Sequence, residues 1–281
     1  LYIIYICTYK RYKRKKKLQD YQKSISIMPD SCSKSSSRTV VYVGGFGPQK
    51  LEEKLNVLEN NLRLLSNQMK NPLDVIVNCY HQGSNRKLEE LFKKLRVGRI
   101  IQESWVHCVP GGVLAGMWIT NPYNKNVLNY NQVVMILDDV SIQHLQLVEF
   151  EQEKTANKLD IISACVTNSS HPKLMEMQEG ESVKLNSSAE MFLYLMDPVA
   201  FQKYISIQKP GNPWIWGVDF LLKHIGFSVG ISSKCKCYHM FSNLDRNNAT
   251  KQRDMIRYLD SFYPSLKKKV LDGIHHESKC A

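Results

Sequence analysis

The sequence predicts an α/β fold, a mostly parallel central sheet flanked by helices. Two observations carry this: apolar β-branched runs alternate with stripes of helical period over residues 39–102, and further apolar runs at Gln132–Leu137 and Leu159–Cys165 extend the strand set. A third fixes the organisation. No internal repeat and no linker divides Thr39 from Phe262, so one domain is expected. The 281 residues, 43% hydrophobic and 23% charged, suffice for one large core. Such a composition excludes a collagen-like, a mostly disordered or a polytopic membrane chain.

Thr39–Phe46 (TVVYVGGF) is β-branched and aromatic and ends in glycines, the pattern of a buried strand. Leu51, Leu55, Leu58, Leu62, Leu65 and Met69 then form one helical stripe, with Glu52, Glu53, Lys54 and Arg63 expected in solvent. Asn71-Pro72 stops that helix, and Leu73–Cys79 reads as a second buried strand. Leu88, Leu91, Phe92 and Leu95 mark a second helix, and Gly98–Gln102 a short third strand. Gly111–Trp118 is a glycine-rich helical stretch, and Gln132–Leu137 a strand that ends in Asp138-Asp139. Leu145–Asn157 is expected helical and Leu159–Cys165 extended. The apolar run Met191–Met196 fits strand or helix, Trp214–His224 a helix, Gly226–Tyr238 one or two strands, and Thr250–Phe262 a closing helix.

The formal charge of +12 is unevenly placed: residues 1–27 hold +7 and the remaining 254 hold +5. Leu1–Cys7 is apolar but far shorter than the roughly 20 residues of a spanning helix. Residues 1–38 are therefore expected to be a disordered or non-native basic extension, with Met28 resembling a natural start and a truncated membrane anchor left open. Residues 39–265 form the expected domain and 266–281 a basic tail. The eight scattered cysteines read as reduced thiols, which favours a cytoplasmic location. Asn168, Asn186 and Asn248 begin glycosylation sequons that matter only in a secretory lumen.

Three places carry chemistry. Asp138-Asp139 closes an apolar strand, where a parallel sheet presents its ligand crevice, and carboxylates there suit Mg²⁺ or Mn²⁺ beside phosphate oxygens. A solvated turn or helix cap is the plainer reading of the same pair. Pro213–Phe220 (PWIWGVDF) sets Trp214, Trp216 and Gly217 ahead of Asp219, and a carboxylate among rings gains a raised pKa suited to general-base work. The plainer reading makes it a helix start with both tryptophans in the core. His239, after a late apolar strand, can complete a divalent-metal site or be structural.

The order VGGF, a glycine-containing helix, MILDD, WGVD and a late histidine resembles the nucleotide-sugar glycosyltransferases of GT-A type, most of all the small glycosyltransferase domain of large algal viruses, over roughly residues 39–240. The resemblance implies a single GT-A-like domain with a Rossmann-like nucleotide half, acting as a hexosyl- or deoxyhexosyltransferase. It implies a nucleoside diphosphate sugar donor, UDP by preference, and a glycan or glycoprotein acceptor. Its usual metal motif is Asp-any-Asp, of which Leu137-Asp138-Asp139 keeps the last two positions. On this likeness Asp139 and His239 ligate Mn²⁺ or Mg²⁺, and Asp138 touches the ribose or reaches the ion through water. Gly44, Gly45 and Phe46 let the protein backbone approach the donor closely, Tyr80 stacks on or bonds to the base, and Gly112 lies near the donor. Trp214, Trp216 and Gly217 hold the acceptor, whose hydroxyl Asp219 orients or deprotonates.

Two rival functions are weaker. A nicotinamide oxidoreductase would use Val43–Gly47, but Lys50 stands where the G-x-G-x-x-G fingerprint needs its last glycine, and no acid ends the second strand. A nucleic-acid binder would rest on Lys10–Lys17 and Lys267–Lys269, runs at the two ends that read as solvated tails. A zinc site at Cys235, Cys237 and His239 lacks a fourth ligand. Neither nucleic acid nor a membrane span is expected.

Overall fold

The computed structural model describes residues 38–69, 71–169, 171–185, 188–240 and 248–278. The basic run Lys10–Lys17, Met28, Cys7, Cys32, Cys280 and the sequon asparagine Asn186 lie outside them. Among the described residues a nine-stranded sheet has the order β3-β2-β1-β4-β8-β6-β9-β5, with β7 also on β9. The strands are β1 Thr39–Phe46, β2 Leu73–Cys79, β3 Ile101–Cys108, β4 Gln132–Ile136, β5 Val140–Leu145, β6 Ile161–Thr167, β7 Val183–Leu185, β8 Leu193–Met196 and β9 Val229–His239. Pairing is parallel through β3, β2, β1 and β4 and again between β6 and β9, while β5, β7 and β8 run the other way. The expected α/β architecture is present.

β1 and β2 are buried along their whole length, as their apolar composition requires of strands covered on both faces. Helices α1 Leu51–Met69 and α2 Gln82–Val97 form the crossovers outward from β1 to β3, and α1 buries Leu55, Leu58, Leu62 and Leu65. The chain then returns through α3 Leu114–Thr120, and Trp118 of that helix donates to Gly44 O at 2.5 Å. Helix α4 is Leu147–Ala156, α5 Pro172–Met175 and α6 Pro198–Ser206. Phe201 of α6 packs on Tyr42 with ring centroids 4.8 Å apart.

Several boundaries differ from the sequence reading. Gly98 and Arg99, the latter at φ 55°, form the turn that ends α2, so the third strand begins at Ile101 and runs to Cys108. Leu145 belongs to β5, whose backbone is tied to α1 by buried Asn61: its amide donates to Val140 O at 2.7 Å and its carbonyl accepts from Ile142 N at 2.9 Å. Met191–Met196 resolves into a loop followed by β8. The helix expected from Trp214 starts only at Val218, because Ile215 (φ 58°) and Gly217 (φ 72°) break the helical path; α7 is Val218–Leu221. α8 covers Asn248–Phe262. The stretch expected as a basic tail contains α9, Lys267–Ser278, whose Val270 is fully buried.

Lys54 is a clear correction. It is buried rather than solvated, because its position beside the leucine stripe aims its amine at Asp138, 84 residues away. At the opposite edge of the sheet Asp74 has a purely architectural setting. It accepts from Arg38 and Tyr130, each at 2.8 Å, and from the Glu103 amide at 2.9 Å.

Candidate functional site

The carboxyl ends of β1, β2, β4 and β9 share one edge, and the acid pair follows β4 there. β5 begins right after the pair and runs back along β9, pairing Val140 with His239. This register, not sequence proximity, brings Asp139 and His239 together over 100 residues, with His239 Nε2 3.2 Å from Asp139 Oδ2. Met240 N donates to Asp139 O at 2.9 Å, and Asn168 Nδ2 to His239 O at 2.7 Å. The imidazole also lies against the ring of Phe192, centroids 4.5 Å apart.

Among the described residues, Asp139 Oδ1 and His239 Nδ1 are buried without a hydrogen-bond partner. Native structures rarely leave such atoms unmet, and a bound ion is one recognised explanation. A carboxylate and an imidazole 3.2 Å apart are donor types that suit Mg²⁺ or Mn²⁺, which take few protein groups and complete their shell with phosphate oxygens and water. Among the described residues no group of three or more His, Cys, Asp or Glu side chains is arranged to hold a metal, which excludes the Cys235–Cys237–His239 zinc cluster from them. Cys79, Cys108, Cys165, Cys235 and Cys237 are free thiols, and burial pushes Cys79 up to about 12.

Asp138 is differently placed. Its Oδ2 accepts from Lys54 Nζ at 2.8 Å and from the Gly47 amide at 3.2 Å, so this oxygen is committed to the protein. Burial raises its carboxyl to about 6, Lys54 opposes the rise and the charge of Asp139 adds to it. Tyr80 stands within the field of both acids, and burial together with their charges raises its phenol far above the usual range. Its ring lies over Gly47, where a Cβ would fall 1.8 Å from Tyr80 Oη. Gly47 is absent from the sequence-based site, and a side chain there would have to displace the Tyr80 ring.

Gly44 and Gly45 lie closely packed against leucine side chains. A Cβ on Gly44 would meet Leu137 at 2.9 Å and one on Gly45 would meet Leu114 at 2.4 Å. Phe46 is wholly buried in the core, with no ring face left for a ligand. Gly112 lies in the turn before α3, its amide donating to Val109 O at 2.8 Å.

The second acid centre lies beyond Phe192, whose carbonyl accepts from Leu137 N at 3.1 Å. Gly217 adopts φ 72° and caps α7, with Met255 of α8 so close that a Cβ would sit 2.4 Å from its sulfur. Asp219 occupies the first turn, half-buried, its Oδ1 accepting from Phe220 N at 3.1 Å. Burial, reinforced by the charge of Glu190, pushes it up to about 7. Trp214 and Trp216 lie at the surface of this segment, with Lys251 Nζ 5.6 and 5.7 Å from their ring centroids. α9 supports the centre, since Gly273 lies against Phe220.

Glu190 was missed by the sequence reading. It is buried, and its Oε2 accepts from Ser169 Oγ and, at 3.4 Å, from His171 N. His171 in turn sets its ring edge-on to Phe220, 5.0 Å between centroids. One signal was available: Glu190 is the charge that interrupts the apolar stretch from Ala189 to Met196.

No protein-family model and no curated protein matches the chain. Among solved structures, a crystal structure of GalNAc-T7 with UDP, GalNAc and Mn²⁺ matches with a TM-score of 0.52 at 7% identity, covering 82% of this chain and 50% of that one. The chain thus spans half the length of that neighbour, and at this identity the likeness is one of fold: the architecture is GT-A-like. No helix among the described residues is long and apolar enough to cross a membrane.

Proposed function

We propose that this chain is a divalent-metal-dependent glycosyltransferase that moves a sugar from a nucleoside diphosphate sugar, UDP by preference, to a hydroxyl of a glycan or glycoprotein. The observation that carries the reading is the meeting of Asp139 and His239 at the carboxyl edge of the sheet, each with one buried atom lacking a partner. The same fold in a neighbour crystallised with UDP and Mn²⁺ supports it.

Asp139 and His239 would hold Mn²⁺ or Mg²⁺, which supplies the positive charge a departing diphosphate needs. Asp138, tied to Lys54 and the Gly47 amide, fixes the loop over which Tyr80 lies and keeps that edge pre-shaped for the nucleotide. Tyr80 offers an aromatic face and a hydroxyl to the base. Trp214 and Trp216 offer ring faces to the acceptor sugar.

Asp219 is the general base if the transfer inverts configuration. The acceptor oxygen then bonds to the anomeric carbon, the bond from that carbon to the phosphate oxygen breaks with its electron pair, and the acceptor proton moves to Asp219. Its carboxyl, pushed to about 7, is divided between acid and carboxylate at neutral pH, and the carboxylate fraction accepts that proton. In a retaining transfer Asp219 positions the acceptor.

Calorimetric titration of UDP, GDP and NAD with and without Mn²⁺, repeated on Asp139→Ala, tests this. Metal-dependent binding of one nucleoside diphosphate, lost in the variant, is expected. Binding of NAD alone, or binding indifferent to both metal and substitution, would contradict it.

A further inference from the structure

Apart from the acid centres, the described surface holds a cavity of about 350 Å³ between loop 210–213 and α8, lined by Asp254, Arg257, Tyr258, Ser261 and Phe262. That is within the range of small-ligand sites, toward its lower end. Lys251, Asp254, Tyr258 and Ser261 follow one another at helical spacing, so they share a face of α8. The upper end of that face reaches Trp214 and Trp216 through Lys251. Met255 beside it touches Gly217, the cap of the helix that carries Asp219. At 1.5 Å rise per residue the face runs about 15 Å from Lys251 to Ser261.

The lining has an unusual chemistry for a surface crease. Asp254 Oδ1 and Arg257 Nη1 are 3.9 Å apart, beyond hydrogen-bond length, so carboxylate and guanidinium both retain bonding capacity toward a third group. The Phe262 ring is 49% exposed and Trp214, further along the track, 37%. A carboxylate acceptor, a forked donor, a hydroxyl and ring faces in one concavity match a pyranose, whose hydroxyls both donate and accept and whose C–H face packs on an aromatic ring.

We propose that this cavity binds a sugar ring of the acceptor at a distance from the reacting hydroxyl, so that the acceptor is an oligosaccharide laid along α8 rather than a single sugar. The proposal rests on the glycosyltransferase reading and names its substrate class. The test is saturation-transfer NMR of the full chain with chitotetraose, cellotetraose and mannotetraose and with the matching monosaccharides, repeated on Asp254→Asn and Phe262→Ala. Calorimetry of UDP with Mn²⁺ on the same samples reports folding and the donor site. At least one tetrasaccharide should bind tenfold or more tightly than its monosaccharide and lose that advantage in both variants, with UDP binding unchanged. Binding of none of the three, or binding indifferent to both substitutions, overturns the subsite. Loss of UDP binding in the unsubstituted chain would instead count against the glycosyltransferase reading.

Discussion

Asp138 and the half-buried Asp219 are both raised far from the ordinary carboxylate range, to about 6 and about 7, yet their surroundings differ in sign. Asp138 has Lys54 at 2.8 Å and a backbone amide on the same oxygen. Asp219 faces Glu190, and the hydroxyls of Tyr194 and Tyr204 lie within its field. A buried acid given a cation is anchored, and its partner is part of the architecture. An acid faced by a second acid keeps the capacity to take up a proton near neutrality, a property that suits chemistry better than stability. Asp139, between them in character, has an imidazole on one oxygen and, among the described residues, no partner on the other.

The largest effect should come from breaking the anchored pair. Lys54→Met leaves Asp138 buried beside Asp139 without its cation, at a cost of about 3–5 kcal/mol in urea unfolding. Adding Asp138→Asn should restore most of that loss. A cost below about 1 kcal/mol would mean that Asp138 does not depend on Lys54.

Asp219→Asn strikes the other acid, and here the expected loss is in rate. Transfer should fall roughly 10²- to 10⁴-fold while Mn²⁺-dependent UDP binding stays intact. An unchanged rate would remove Asp219 from the reaction.

Glu190→Gln sharpens the contrast without touching Asp219. The unsubstituted enzyme should lose kcat/KM as pH falls through about 7, where Asp219 protonates. Removing the neighbouring charge lowers that pKa, so the acid limb should move to lower pH while the KM for donor holds. A limb that stays in place would separate Glu190 from Asp219.

The smallest effect is on stability. Asp219 titrates at about 7 when folded and near 3.8 when unfolded, so the folded state binds the extra proton between those values. Stability contributed by this group is therefore full below the unfolded value and declines as pH rises through the window to about 7. Asp219→Asn should flatten that decline and raise Tm at pH 8 by roughly 2–4 °C per kcal/mol recovered. A Tm difference independent of pH would contradict the assignment.

The two halves of the sheet were unequally legible. β1, β2 and the stripe of α1 follow from β-branched runs and leucine spacing, signals that lie wholly within each segment. β3 is an edge strand with polar alternation, and its start is set by a turn at Arg99 that apolar content does not mark. β5 depends on Asn61 of α1 and on β9, partners far along the chain. The same limit applies to the site. Asp139, His239 and Asp219 could be picked out because acids and histidines beside apolar strands are chemically conspicuous. Lys54 could not, since a lysine in a first helical turn reads as solvated until an acid 84 residues on meets it. The close packing of Leu137 and Leu114 on Gly44 and Gly45 was equally hidden, since both leucines come from elsewhere in the chain.

The most direct measurement sets the two acid centres against each other: calorimetric titration of UDP with Mn²⁺ into Asp139→Ala and Asp219→Asn in parallel with the unsubstituted chain. Binding should vanish in the first and persist in the second if, as proposed, one acid holds the donor's ion and the other meets the acceptor. Binding that survives Asp139→Ala, or that is lost equally in both, would contradict this division of labour.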